Sequence, residues 1–311
     1  MTTLLADIGG TNARFALTLP RVEGTGHSPP ESVRLDRFPD IATAIADYLG
    51  DGPPPEAAIL AVAGPVERNA VRLTNRGWLV DGAALSDGLG IGSVRVVNDF
   101  AALSWSLPQL AGADLLPLGG KAADAEAPLA VLGPGTGLGV GAFLPPGRVL
   151  VTEGGHASLA AHSVREAAVI EWLRGRHGHV SAERMISGQG LENLHAGLAA
   201  VDGLEIPALP AAEITARALD GSDPRCTEVL AMFCALLGSF AGDLALLYGA
   251  RGGVFVGGGI CPRFPEFLAA SAFRERFEAK GRFRDWLAPI PAWLIMRPDA
   301  AMVGLAALAR T

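Results

Sequence analysis

Asp7-Ile8-Gly9-Gly10-Thr11-Asn12-Ala13-Arg14 lies between two apolar runs, Leu4-Leu5-Ala6 and Phe15-Ala16-Leu17, and its reading decides the fold. Two short apolar runs separated by a glycine pair form the pattern of a β-hairpin. Gly9 and Gly10 turn the backbone where a Cβ would clash, and leave amide N–H groups able to face an anion. Thr11 and Asn12 add side-chain donors. Asp7 sets a carboxylate at the end of the first strand, where it can hold a phosphate-bound Mg²⁺ through waters. Taken alone, the octapeptide reads equally well as a tight hairpin with an aspartate of no special purpose. A second turn of the same kind shifts that balance. Gly133-Pro134-Gly135-Thr136-Gly137-Leu138-Gly139 stands between the apolar strands Leu129-Ala130-Val131-Leu132 and Val140-Gly141-Ala142-Phe143-Leu144. A glycine-rich strand-turn-strand occurring twice implies an internal duplication, two similar halves that each offer a loop to one ligand.

Outward from these turns the chain alternates strands and helices, the pattern of an α/β architecture. Ile41–Leu49 has apolar residues at helical spacing and stops at Gly50, whereas Ala57–Ala63 is a continuous apolar run closed by Gly64-Pro65. Ser93–Val97 reads as a strand delivering Asn98-Asp99, and Phe100–Trp105 resumes helical spacing. Arg21 to Pro30 reads as a surface turn. Ser163–Arg174, Ile214–Leu219 and Glu228–Tyr248 are expected helices, the last apolar on nearly every side and so central to a core. Gly253–Val256 is an expected strand opening into Gly257-Gly258-Gly259-Ile260, and Ala300–Ala309 a short apolar helix packing back on the N-terminal domain. The expected division is a small domain over residues 1–108, completed by 298–311, and a large domain over 109–297.

Composition narrows the function. The chain has 311 residues, half of them hydrophobic and only 18% charged, so it supports sizeable cores rather than disorder. A net charge of −7 argues against a nucleic-acid or anionic-membrane surface. The three cysteines, Cys226, Cys234 and Cys261, form no C-x-x-C pair, which fits a reducing cytoplasm. The first residues run almost directly into a strand without a signal-peptide pattern. Val229 to Gly242, the longest greasy stretch, is too short to span a bilayer. A soluble cytoplasmic protein is expected.

Two nucleotide motifs are absent. Gly133–Gly139 lacks the G-x-G-x-x-G spacing and is followed by a strand, and no G-x-x-x-x-G-K-[ST] occurs. A phosphate cradle made by two hairpins remains. Asn98-Asp99 stands at a strand's C-terminal end, where ligands gather in open α/β sheets. An aspartate there serves either as a helix cap or as the acceptor of a substrate hydroxyl proton, with Asn98 bonding a neighbouring hydroxyl. In Glu153-Gly154-Gly155-His156 the glycines strip bulk from between two polar groups that can grip vicinal hydroxyls; a structural turn and, more weakly, a metal site are the other readings. Ser181-Ala182-Glu183-Arg184 reads as a helix start, with Glu183 a first-turn acid. Thr74-Asn75-Arg76-Gly77-Trp78 offers an amide and an indole to a sugar cleft, or is a surface loop.

In order along nearly the whole chain, these segments resemble the bacterial glucokinase family, in its zinc-free group within the actin-like/hexokinase/Hsp70 ATPase superfamily. The motifs are D-I-G-G-T-N-A-R from Asp7, L-T-N-R-G-W from Leu73, V-N-D-F from Val97, G-P-G-T-G-L-G-V from Gly133, E-G-G-H from Glu153, H-V-S-A-E-R from His179 and G-G-V-F-V-G-G-G-I from Gly252. The resemblance implies an α/β, two-domain actin-like ATPase (ribonuclease H-like) fold, with ATP and sugar in a cleft that closes when sugar binds. It implies Asp99 as the base that activates the sugar 6-hydroxyl, and Asn98, Asp99, Glu153, His156 and Glu183 as holders of glucose hydroxyls. ATP phosphates fall to the loops at Asp7, Gly9, Gly10, Thr11, Asn12 and at Gly135, Thr136, Gly137. Gly257, Gly258 and Gly259 flank the adenosine, and Asp7 serves Mg²⁺ through water. A homodimer is implied as well. Pro134 departs from the small residue frequent at its place and stiffens the loop. Ala157 to Ala161 is a variable segment that leaves fine sugar specificity open, and Cys261, beside the adenosine loop, is a candidate oxidation-sensitive thiol. The expected reaction is ATP-dependent phosphorylation of D-glucose to glucose 6-phosphate. The alternatives are a kinase for another hexose and a sugar-sensing regulator.

Overall fold

The computed structural model describes residues 2–19, 26–73 and 76–311. Thr74 and Asn75 lie outside the described residues, as do residues 21–25 of the expected surface turn. The chain divides into two compact units, Met1–Gly112 with Val149–Val151 and Arg297–Thr311, and Ala113–Arg148 with Thr152–Met296.

The first unit is built on β1 (Thr3–Ile8), β2 (Asn12–Leu17), β3 (Glu31–Arg34), α1 (Ile41–Leu49), β4 (Ala57–Val62), β5 (Ala70–Arg72), β6 (Leu79–Asp81), α2 (Gly82–Leu89), β7 (Ser93–Asn98) and α3 (Asp99–Ser106). Its five-stranded sheet runs β3-β2-β1-β4-β7, antiparallel on the β2 side of β1 and parallel through β4 and β7. Side chains alternate across a strand, so both faces need cover. Leu4, Ala6, Ile8, Phe15, Leu60 and Val62 fill one core with Ile41, Ile45 and Leu85 of α1 and α2. Leu5, Ala16, Ile59 and Ala61 face the other, closed by Ala102 of α3 and by Met302 and Leu305 of the C-terminal helix Ala300–Leu308. That helix lies so close to α3 that a Cβ on Gly304 would stand 1.8 Å from the Ala102 carbonyl oxygen, so only glycine permits the approach.

The second unit contains β8 (Leu115–Gly119), β9 (Leu129–Pro134), β10 (Leu138–Leu144), β11 (Arg148–Thr152), α4 (Val164–His177), α5 (Gly188–Val201), α6 (Ala211–Asp220), α7 (Pro224–Tyr248), β12 (Gly253–Val256), α8 (Pro265–Ala270), α9 (Phe273–Glu278), α10 (Arg284–Leu287) and β13 (Ala292–Ile295). The sheet order is β11-β10-β9-β12-β13-β8. An antiparallel hairpin, β9/β10, is extended by parallel strands β12 and β13, the same order as β2-β1-β4-β7 in the first unit. The two glycine turns therefore occupy equivalent places in two equivalent sheets, as the duplication predicts.

Helix α7 is longer than the greasy stretch from which it was read. Asp223 caps it through the N–H groups of Arg225 and Cys226, Pro224 opens it, and Gly249 ends it in the left-handed conformation. At 25 residues it has the length to cross a bilayer, but 83% of its most apolar stretch is buried inside the protein. Phe233, Leu236, Leu237 and Leu244 pack there among Val169, Leu194, Phe264 and Phe277. Cys261 is fully buried and the loss of solvent pushes its thiol well above the usual range, so the oxidation-sensitive role expected of it does not hold.

Candidate active site

Register brings the first unit's functional residues to one edge of its sheet. Ile8 pairs with Val62, and Val62 with Asn98, so the C-terminal ends of β1, β4 and β7 are level. Gly9 follows the first end and Asp99 the last. Two interstrand spacings separate them, roughly 10 Å.

Asn98, rather than Asp99, is the cap of α3. Its Oδ1 accepts from the N–H groups of Phe100 and Ala101 at 2.9 and 3.2 Å, while its Nδ2 donates to the Gly64 carbonyl at 3.1 Å. The capping duty that was the other reading of Asp99 thus falls to its neighbour. Asp99 opens the helix, with one carboxylate oxygen 2.9 Å from the Phe100 nitrogen.

In the first turn the Gly9 N–H is spent on the Asn12 carbonyl at 3.0 Å, so this glycine does not offer its amide to an anion. Among the described residues the N–H groups of Gly10 and Thr11 have no protein acceptor. A cavity of about 260 Å³ opens here, walled by Asp7, the Gly9–Asn12 turn, Arg14 and Ser32. Burial raises the Asp7 pKa above the ordinary carboxylate value, and Arg14, with Nη1 3.4 Å from Oδ2, opposes that shift. Arg14 is itself fixed by donating to the Pro298 carbonyl at 3.1 Å. Arg76 donates through Nε to the Gly10 carbonyl at 3.0 Å and lies over the Trp78 ring, bracing the turn. A carboxylate beside unpaired amides in a walled cavity fits a hydrated Mg²⁺ on a phosphate.

The second unit repeats the device. Gly135 N–H closes its own turn on the Gly137 carbonyl at 2.8 Å, and among the described residues those of Thr136 and Gly137 have no protein acceptor. Gly257 N–H donates to the Leu132 carbonyl, and Gly258, at φ +79°, packs on Pro134 so tightly that a Cβ would lie 2.3 Å from its carbonyl oxygen. The glycine triplet is thereby laid against the second glycine turn. Pro134 ends β9, and its carbonyl also accepts from Ile260 N–H at 3.3 Å.

Glu183 does not start a helix. Ser181 to Ile186 forms a turn, and α5 begins at Gly188 with Ser187 as its cap. The turn directs Glu183 at the glycine hairpin, where Oε2 accepts from Leu138 N–H at 2.8 Å. His156 stands between two carboxylates, Nδ1 3.9 Å from Glu183 Oε1 and Nε2 4.0 Å from Glu153 Oε2. Glu153, His156 and Glu183 therefore form one cluster beside the turn, the first two exposed and Glu183 partly buried. The glycines between Glu153 and His156 do not leave room for a ligand. A Cβ on Gly155 would meet the Leu138 carbonyl at 2.0 Å and one on Gly154 would press on Val140, so both serve close packing against β10. Among the described residues no three His, Cys, Asp or Glu side chains group to hold a metal ion.

The sequence model of the family described as Glucokinase matches residues 4–311. The chain belongs to the glucokinase family. A glucokinase from Chromobacterium violaceum is 46% identical over 310 residues, 98% of this chain and 88% of the relative. The crystal structure of a glucokinase from an Antarctic psychrotroph superposes with a TM-score of 0.91 at 38% identity, covering 99% of this chain and 98% of that one. A ROK family glucokinase from Streptomyces griseus, solved with glucose and AMPPNP, shares the fold at a TM-score of 0.65 and 22% identity, covering 100% and 99%. The fold of this glucokinase-family chain is the two-domain actin-like ATPase fold expected from its motifs. Sequence reasoning passed over Arg14 and Arg76, although both stand in motifs it quoted, because neither has a local partner.

Proposed function

We propose that this chain is an ATP:D-glucose 6-phosphotransferase. The observation that carries the proposal is the level register of β1, β4 and β7, which sets the first glycine turn and the strand-end carboxylate of Asp99 at one sheet edge, roughly 10 Å apart. Phosphoryl transfer needs a nucleophile positioned by such a carboxylate and a cradle for charged phosphate oxygens. In our reading Asp99 receives the proton of the sugar 6-hydroxyl as that oxygen attacks the γ-phosphorus in line. The bond from phosphorus to the β,γ-bridging oxygen breaks, and ADP leaves. Gly10, Thr11, Thr136 and Gly137 donate N–H groups to phosphate oxygens, Asn12 and Gly135 shape their turns, and Gly257–Gly259 flank the adenosine. Asp7 would hold Mg²⁺ through water, and the ion would supply neutralisation of phosphate charge.

Glu153, His156 and Glu183 take sugar hydroxyls together with Asn98, whose capping amide retains donor capacity. The glucokinases of known structure supply the analogy for both ligands, since one was solved with glucose and AMPPNP. A cytoplasmic homodimer completes the reading, and sedimentation of the purified chain tests the dimer. The reaction is tested by Mg·ATP-dependent phosphorylation across a panel of hexoses, following ADP release and sugar phosphate together. Strong preference for glucose supports the proposal. A different preferred hexose moves the error to the Glu153–His156 cluster, and sugar binding without turnover overturns the enzyme reading.

A further inference from the structure

A second polar cavity, of about 300 Å³, lies in the second unit under the loop that joins α5 to α6. Ile206, Pro207 and Leu209 of that loop supply an apolar wall. Opposite them stand His195 of α5, Arg217 of α6 and, at the start of α7, Arg225 and the capping residue Asp223.

His195 is only 3% exposed, and among the described residues neither ring nitrogen has a hydrogen-bond partner. Loss of solvent lowers its basicity, with Arg225 and Arg217 adding to that shift against Asp223, so the ring is neutral near pH 7 and offers one N–H donor. Both guanidiniums keep donors in reserve: Arg225 gives Nη1 to Asp202 at 2.8 Å, and Arg217 gives Nη2 to Glu213. Asp223 Oδ1 is occupied by the first amides of α7, at 2.9 and 3.3 Å, and its Oδ2 stands 3.9 Å from Arg217 Nη1. The wall therefore presents guanidinium and imidazole donors beside an apolar face. The carboxylates of Asp202, Glu213 and Asp223 beside the arginines offset their charge, which disfavours a dianion.

We propose that this cavity binds a small organic monocarboxylate, its carboxylate held by Arg217, Arg225 and the His195 ring N–H and its apolar body against Ile206, Pro207 and Leu209. The probe is isobutyrate, followed in the ¹⁵N-histidine spectrum of the full chain, whose six histidines are resolved by assigning His195 with His195→Gln. The controls are isobutyramide, of the same shape without charge, and inorganic phosphate. Expected is a saturable shift of the His195 ring nitrogens with isobutyrate, at least tenfold weaker with isobutyramide and with phosphate. Arg225→Met, and independently Arg217→Met, weaken it at least tenfold while circular dichroism and phosphotransfer stay as in the parent. Equal response to isobutyramide, a stronger response to phosphate, an unchanged shift in both folded variants, or no shift up to about 50 mM isobutyrate, about fifty times a millimolar dissociation constant, overturns the proposal.

Discussion

Glu183 is the residue whose replacement separates structure from chemistry most cleanly. Its Oε2 is the acceptor for Leu138 N–H at 2.8 Å, the first amide after the second glycine turn, and its Oε1 faces His156. Glu183→Ala leaves a half-buried strand amide without its charged partner, a loss of about 1.5–3 kcal/mol for a hydrogen bond to an ionised group. A unit of this size shifts its melting point by roughly 2–4 °C per kcal/mol, so calorimetry is expected to read a fall of roughly 3–12 °C. Glu183→Gln keeps an acceptor for Leu138 N–H and loses only the charge assistance, about 1 kcal/mol, or a fall of roughly 2–4 °C. Both variants lose the carboxylate proposed to take a sugar hydroxyl, and both are expected to raise KM for glucose at least tenfold. The ordering is the test: Ala below Gln in melting point, the two alike in KM. An alanine variant with parental melting point and parental KM would refute both roles.

Other substitutions probe the frame. Gly304→Ala places a methyl group 1.8 Å from the Ala102 carbonyl, and urea unfolding is expected to show a loss of about 1–3 kcal/mol; an unchanged midpoint contradicts the close helix pair. Glu166 of α4 is buried, which raises its pKa, but Arg276 at 2.6 Å and the N–H groups of His162 and Ser163's cap turn outweigh burial and leave the pKa below the ordinary value. A folded-state pKa below the unfolded one contributes stability that is fully present above about pH 4.5 and is lost as pH falls through the folded pKa. Glu166→Gln is therefore expected to flatten the acid limb of the stability profile and, by leaving Arg276 buried without its counter-charge, to cost about 3 kcal/mol at pH 7. A steep, parental acid limb in that variant contradicts the assignment.

What was legible in the sequence was local. Ile41–Leu49 has the bounds its apolar spacing and Gly50 predict, because cap, period and stop all lie within one helix. The twin glycine hairpins were legible for the same reason, and with them the duplicated sheet. Asn98-Asp99 was correctly set at a strand end, but the division of labour between them depends on which side chain turns back on the amides of α3. The rest was hidden by distance along the chain. Glu183 reaches Leu138 across 45 positions, Arg76 reaches Gly10 across 66, and Arg14 reaches Pro298 across 284. No periodicity reports such pairs. The glycines of Glu153–His156 were misread because a missing side chain gives the same letter whether a ligand or a neighbouring strand fills the gap.

Asp99→Asn tests the central claim most directly, with single-turnover phosphotransfer and equilibrium glucose binding measured on the same preparation. The substitution keeps size and a hydrogen-bonding head but removes the proton acceptor, and general-base assistance of this kind contributes about 10²–10⁴ in rate. The account predicts a fall in kcat of that order with glucose affinity within a few fold of the parent. Near-parental turnover in Asp99→Asn would contradict it.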